Sequence, residues 1–320
     1  ALSVLILAAG KGTRMNSKSP KVLHHVGNIP MIYYSIKLAI KAKAKNIGIV
    51  ISKDATEIKN FIKSLSINIK LFVQSNQLGT GHAILSAKEF ETKSGDLIIL
   101  YGDCPLITSD TIKKLINNKK KGAHLSVLGF LSNNQKEYGR MVVDKNNNLS
   151  KIIEYKDADK NEKDIKFCNS GVIISKAKIL FSLLNQISNN NSAKEFYLTD
   201  IVSLANKQGL IFKSVFCSEA EAQGVNNRQD LSEVELEFQK NKRLEILNNG
   251  VTLKDPSSVY FSYDTEIEQD SIVEANVIFG PGVKIKKNVL IKSFSYLEGC
   301  QVDANVVIGP FARIRPKTVL

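Results

Sequence analysis

The chain has no tryptophan, only four cysteines and four histidines, and only six arginines in 320 residues. No apolar run reaches the ~20 residues a membrane-spanning helix needs. The N-terminus also lacks the charged start and cleavage site of a signal peptide. Cys104, Cys168, Cys217 and Cys300 are widely separated and form no CxxC pair. That spacing argues against a disulfide framework and a thiolate zinc site, and the expectation is a reducing, cytoplasmic protein. His24, His25, His82 and His124 show no metal-ligand spacing. The net charge of +13 is almost all lysine, spread along helical faces such as Lys37, Lys41, Lys43 and Lys45. Without tryptophan or alternating aromatic and basic residues there is no stacking platform, so neither nucleic acid nor membrane is expected as a partner.

What is present begins at the N-terminus. The apolar run Val4-Leu5-Ile6-Leu7-Ala8-Ala9 breaks into Gly10-Lys11-Gly12-Thr13-Arg14, and Pro20-Lys21-Val22-Leu23 follows six residues later. A buried strand feeding a glycine turn aims backbone N–H groups at a phosphate chain. Arg14 and Lys21 add two cations near the same point. The dinucleotide fingerprint is excluded because Met15 stands where its third glycine belongs, and the Walker loop because Gly12 leads to Thr13-Arg14. Nothing here supplies a covalent nucleophile. The arrangement reads as a device for holding and neutralising a nucleoside triphosphate, against the plainer reading of a glycine turn after a buried strand.

A chain of this length suggests two domains. Strand patterns at 3–8, 46–51, 70–74, 97–101, 125–130 and 171–175 alternate with helical patterns at 31–43, 55–64, 81–90 and 109–120. Such alternation implies an α/β, mostly parallel, Rossmann-like sheet covered on both faces. Ligands bind beyond the carboxyl ends of such strands, so the loop after Ala8 and Tyr101-Gly102-Asp103 can share one crevice. A long helix is predicted over 229–248, closed by Asn248-Asn249-Gly250. After Pro256 the helical period vanishes. Six-residue units appear at 277–282, 283–288, 289–294, 295–300, 301–306 and 307–312, with an aliphatic residue near the start of most. This is the pattern of an incomplete left-handed parallel β-helix, of two to three coils. The expected division is 1–227, a connecting helix 228–250, and the β-helix 251–320.

Taken together, these residues resemble the bifunctional N-acetylglucosamine-1-phosphate uridyltransferase and glucosamine-1-phosphate N-acetyltransferase family. The likeness rests on Leu7–Met15, Pro20–His24, Gln77-Leu78-Gly79-Thr80-Gly81-His82-Ala83 and Tyr101-Gly102-Asp103-Cys104-Pro105-Leu106. Tyr138-Gly139-Arg140, Glu154–Ala158, Asn169-Ser170-Gly171, Glu195-Phe196-Tyr197-Leu198-Thr199-Asp200 and Gly224-Val225-Asn226-Asn227-Arg228 complete it. The opening motif is common to sugar nucleotidyltransferases; the ordered set followed by hexapeptides is more specific.

The resemblance implies transfer of UMP from UTP to N-acetylglucosamine 1-phosphate, giving UDP-N-acetylglucosamine and pyrophosphate for cell-wall precursors. It implies Mg²⁺ held by Asp103 and Asn226, and Arg14, Lys21 and Asp103 as the catalytic set. Ala8, Ala9, Gly10, Gln74, Gly79 and Thr80 would line the nucleotide pocket, with Tyr101 and Gly102 also substrate-binding. Gly139, Glu154 and Asn169 would hold the acetamido sugar. Each has a plainer reading: Asp103 as a cap, Asn226 beside Asn227 as a turn residue, and Glu154 as a hairpin charge after the turn 144–148. Gln223 departs from the family's glutamate. Of the family's acetyltransferase site only Arg315 is matched, so acetyl transfer is expected to be absent from these 320 residues, while a homotrimer through the β-helix is expected. The alternatives are the same chemistry on glucose 1-phosphate and a non-catalytic trimeric scaffold.

Overall fold

The computed structural model describes residues 1–92, 95–134, 136–146 and 148–320. The chain forms two compact units: residues 1–24 with 31–230, and residues 25–30 with 231–320. The strands of the first unit are β1 (Leu2–Ala8), β2 (Asn46–Ser52), β3 (Lys70–Gln74), β4 (Asp96–Tyr101) and β5 (Leu125–Leu131). They continue as β6 (Arg140–Val143), β7 (Leu149–Ile153), β8 (Phe167–Lys176) and β9 (Phe212–Cys217). Among the described residues they make one sheet in the order β9-β5-β8-β4-β1-β2-β3, with β6 on β8 and β7 on β6.

β1 lies between β2 and β4, parallel to both, and its apolar run is buried on both faces, as a central parallel strand requires. Alternation along it sends Leu5 and Leu7 to one core with Phe181 and Leu184 of the helix Ala177–Leu184. Val4, Ile6 and Ala8 go to the other core, with Ile32 and Ile36 of the helix Ile32–Lys41. Because Leu7 is in register with Tyr101, the loops after β1 and β4 leave the sheet side by side.

One feature differs from the sequence expectation. The 171–175 pattern is the C-terminal half of β8, which starts at Phe167 and runs antiparallel to β4 and β5. A register shift between Asn169 and Ile173 interrupts the apolar run with Asn-Ser-Gly. The turn expected at 144–148 joins β6 to β7, where Asp144 Oδ1 accepts from the N–H groups of Asn146 and Asn148; Asn147 lies outside the described residues.

In the second unit, two-residue strands stack in parallel on three faces of a left-handed β-helix. One face is Thr252–Leu253, Ile272–Val273, Leu290–Ile291 and Val307–Ile308; the second is Glu266–Ile267, Lys284–Ile285 and Gln301–Val302. The third is Ile278–Phe279, Tyr296–Leu297 and Arg313–Ile314. The strands thus begin at Thr252, within the expected 251–320 but before the first hexapeptide unit counted at 277, and the helix is longer than two to three coils. The second residue of nearly every pair points inward and is buried, and Phe261 stacks on Phe279 at 5.1 Å. Outward, the first face presents Ile272, Leu290 and Val307 and the third Ile278 and Tyr296. Phe294 and Phe311 stack at 5.2 Å on the corner between them, 56% and 76% exposed. The second face is polar, with Lys284 paired to Glu266.

Candidate active site

Gly12 sits at φ +62°, and a Cβ there would come within 2.8 Å of Lys21 Cβ. Glycine is therefore what lets the loop after β1 fold back on the short turn Lys21–Leu23 that begins after Pro20. This fold-back carries Lys21 to the end of β4. Its Nζ donates to Asp103 Oδ2 and lies 3.4 Å from Asn226 Oδ1. Asn226 arrives because the N–H of Val225 donates to the carbonyl of Asp103 at 3.0 Å. Asp230 Oδ2 fixes it by accepting from the Asn226 N–H at 2.9 Å. Residues separated by more than 200 positions thus converge on one ammonium group, with the Lys21 and Asp103 side chains only 14% and 18% exposed.

Two cavities adjoin this point. The first, of about 400 Å³, is lined by Ala8, Ala9, Gly10, Lys21, Gln74, Gly79, Thr80, Tyr101 and Asp103. Its wall is fixed by side chains: Gln74 donates to the carbonyl of Gly79 at 3.1 Å, and Gln77 to that of Ala9 at 2.6 Å. The second, of about 700 Å³, is lined by Arg14, Gly139, Glu154, Asn169 and Asn226. Thr80 and Tyr101 line both. Burial pushes the Tyr101 hydroxyl far above its ordinary range, so it stays protonated, and it is hydrogen-bonded to Thr80. Its ring is admitted by Gly171, at φ +85°, where a Cβ would come within 2.6 Å of it.

The β8 register shift shapes the second cavity. Asn169 Oδ1 accepts from the N–H of Gly171 at 2.9 Å, and the N–H of Asn169 donates to the carbonyl of Gly139 at 2.8 Å. Burial raises the Glu154 carboxyl above the usual carboxylate range, partly offset by the hydroxyl of Thr199, which donates to Oε1 at 2.9 Å. A Cβ on Gly139 would be 3.6 Å from Glu154 Oε2.

Not every expected residue meets the others. Arg14 lies at the rim of the second cavity, outside the lining of the first, and its Nη1 is 3.0 Å from Glu137 Oε2. Gly102 lines neither cavity; its N–H donates to the carbonyl of Leu7. Arg315 lies in the second unit, exposed on the β-helix. Conversely, Gln77 and Glu195 line the first cavity and Tyr138, Thr199 and Asp230 the second. Gln77, Tyr138 and Thr199 stand inside quoted motifs, but their residue types alone announce no role.

Among the described residues no three His, Cys, Asp or Glu side chains cluster as metal ligands. What the site offers is a carboxylate and an amide oxygen held around one cation. That hard oxygen pair fits Mg²⁺, which keeps waters and takes further ligands from bound phosphates.

A nucleotidyl transferase model matches residues 3–220. Over 317 residues the chain is 41% identical to the bifunctional protein GlmU of Bartonella quintana, covering 99% of this chain and 70% of that one. It is 39% identical to the bifunctional protein GlmU of Jannaschia sp., covering 98% and 69%. A solved Bacillus anthracis structure, named for a glucose-1-phosphate thymidylyltransferase, superposes with a TM-score of 0.61 over 74% of this chain and 94% of its own. At 19% identity it shows the shared fold. The chain belongs to the nucleotidyl transferase family, among the bifunctional GlmU proteins.

Proposed function

We propose that the chain transfers UMP from UTP to N-acetylglucosamine 1-phosphate, with release of pyrophosphate. The observation that carries this reading is the convergence of Lys21, Asp103 and Asn226 beside two cavities that share Tyr101 and Thr80. In this reading the first cavity takes the nucleotide, with the backbone at Ala8–Gly10 against its phosphates. The second takes the sugar, held by Gly139, Glu154 and Asn169. A sugar-phosphate oxygen attacks the α-phosphorus, the α–β P–O bond breaks, and its electron pair leaves with pyrophosphate.

Such a transfer needs positioning and charge neutralisation rather than a protein nucleophile. Lys21 lies at the junction of the cavities and offers its ammonium to the phosphates. Arg14, at the rim and paired with Glu137 through exposed side chains, can turn toward them at little cost. Asp103 and Asn226 would hold Mg²⁺, which when bound supplies further neutralisation of phosphate charge.

The same reading places the protein in the cytoplasm, in keeping with four free cysteines. It also makes the chain a homotrimer through the apolar corner of the β-helix formed by Ile272, Leu290, Val307, Phe294, Phe311, Ile278 and Tyr296. Acetyl transfer is not part of the proposal.

The test is pyrophosphate release from UTP and Mg²⁺ with N-acetylglucosamine 1-phosphate, glucose 1-phosphate or glucosamine 1-phosphate. Release with the acetylated sugar is expected. Release with glucose 1-phosphate alone would overturn the roles of Glu154 and Asn169, and release with none would overturn the reaction.

A further inference from the structure

The segment Glu195–Asp200 runs between the two cavities and is bonded to both. The N–H of Phe196 donates to the carbonyl of Leu78 at 2.7 Å, and its carbonyl accepts from the N–H of Gly81 at 2.9 Å. The N–H of Leu198 donates to Thr80 Oγ1 at 3.2 Å. These bonds dock the segment on the loop that walls the nucleotide cavity. One residue further, Thr199 is 7% exposed and its hydroxyl donates to Glu154 Oε1 at 2.9 Å.

We propose that Thr199 is a positioning residue for sugar recognition: it clamps one oxygen of Glu154 so that the other faces the sugar. The inference rests on the reading of Glu154 as a sugar ligand. A carboxylate with neither oxygen held rotates about its terminal torsion, which is broad for glutamate. With Oε1 fixed by a buried donor, Oε2 keeps one direction, toward the side of Gly139.

Thr199 also bears on charge. The carboxylates of Asp200, Asp157 and Glu195 act on Glu154 in the same direction as its burial, and the hydroxyls of Tyr101 and Tyr197 lie within its field. Against these, the Thr199 hydroxyl favours the ionised form of Glu154, second only to burial in its effect. Removing it takes away that opposition to burial and like charge, so Glu154 takes up its proton at a higher pH.

The experiment compares Thr199→Val, which keeps the shape and deletes the donor, with Thr199→Ser, which keeps the donor, and Glu154→Gln. Expected for Thr199→Val is a roughly tenfold rise in the sugar-phosphate KM at pH 7. The UTP KM should stay within about twofold. The acid limb of the 1/KM profile should move about one pH unit upward. Thr199→Ser should restore both. A Thr199→Val enzyme with unchanged sugar KM and an unmoved acid limb, while Glu154→Gln raises the KM, would overturn the role of Thr199. So would failure of Thr199→Ser to restore them, or an equal rise in both KM values, which marks a packing defect. An unchanged sugar KM in Glu154→Gln would instead overturn the reading of Glu154 itself.

Discussion

Replacing Gly79 by alanine tests how the nucleotide-cavity loop is held. Gly79 has φ +102° and ψ 174°, a conformation essentially reserved for glycine. A Cβ there would come within 2.7 Å of the Phe196 carbonyl oxygen and 2.9 Å of the Phe196 nitrogen. Those are backbone atoms that cannot step aside while the segment stays docked. The backbone conformation costs ~1–3 kcal/mol with a side chain present. Relieving the clash also breaks the two hydrogen bonds Phe196 makes with Leu78 and Gly81, each worth ~1 kcal/mol. Gly122 supplies the control. Its φ is +101°, yet a Cβ there meets nothing within 4 Å, so Gly122→Ala carries a backbone cost alone. Gly79→Ala should therefore be about 2 kcal/mol less stable than Gly122→Ala, which is roughly 4–8 °C in Tm for a body of this size. Thermal unfolding followed by circular dichroism reads the difference. Equal losses in the two variants would refute the docking of the segment on the loop.

Asp103→Asn should cut nucleotidyl transfer at least 100-fold, because it removes the carboxylate proposed for the metal and leaves the Lys21 ammonium without its charged partner; steady-state turnover near wild type would contradict this. The sugar-phosphate KM should rise as pH falls, since burial raises the Glu154 carboxyl and protonation removes its charge while that pH is still above the usual carboxylate range; a KM flat through pH 4 to 8 would count against it. Cys217 is pushed up to about 12 by burial, so at pH 8 its thiolate fraction is ~10³-fold below that of a free cysteine, and labelling by a disulfide reagent should slow in proportion; fast labelling of Cys217 in the folded protein would refute the burial argument. Phe311→Asp places a charge on the apolar corner of the β-helix and should shift the proposed trimer toward monomer in light scattering; an unchanged mass would separate that corner from any assembly.

The central strands were legible because burial on both faces leaves a continuous apolar run, as in Leu2–Ala8 and Asp96–Tyr101. The mostly parallel sheet was legible too, but the direction of the strand at 171–175 was not. Nothing in the apolar pattern of 171–175 distinguishes a parallel strand from the antiparallel β8. Its N-terminal half was hidden by Asn169-Ser170-Gly171, polar because it turns into a cavity. The turn of the hairpin β6–β7 was legible but its two strands were not, and the strand β9 was missed. β9 mixes Lys213 and Ser214 into its pattern and lies at the sheet edge, where apolar burial is no longer demanded on both sides. The β-helix was expected from residue 251, but its repeat units before 277 went uncounted because only their inward residues are constrained, one per two-residue strand.

At the site, the glycine loop and Tyr-Gly-Asp announced themselves as turns after strands. The meeting of Lys21 with Asp103 and Asn226 could come only from the fold. Arg14 was read as a neighbour of Lys21 from spacing, yet the loop carries it to the rim of the larger cavity. Thr199 and Glu195 gave no chemical signal, since a threonine that orients a buried carboxylate has the same residue type as one that caps a turn.

The most direct measurement follows the label from UTP carrying ³²P at the α-position, incubated with Mg²⁺ and N-acetylglucosamine 1-phosphate. The label is expected in UDP-N-acetylglucosamine, with none in pyrophosphate, and Lys21→Met and Asp103→Asn are expected to abolish its transfer. Label that stays in UTP, or transfer that survives both substitutions, would contradict this.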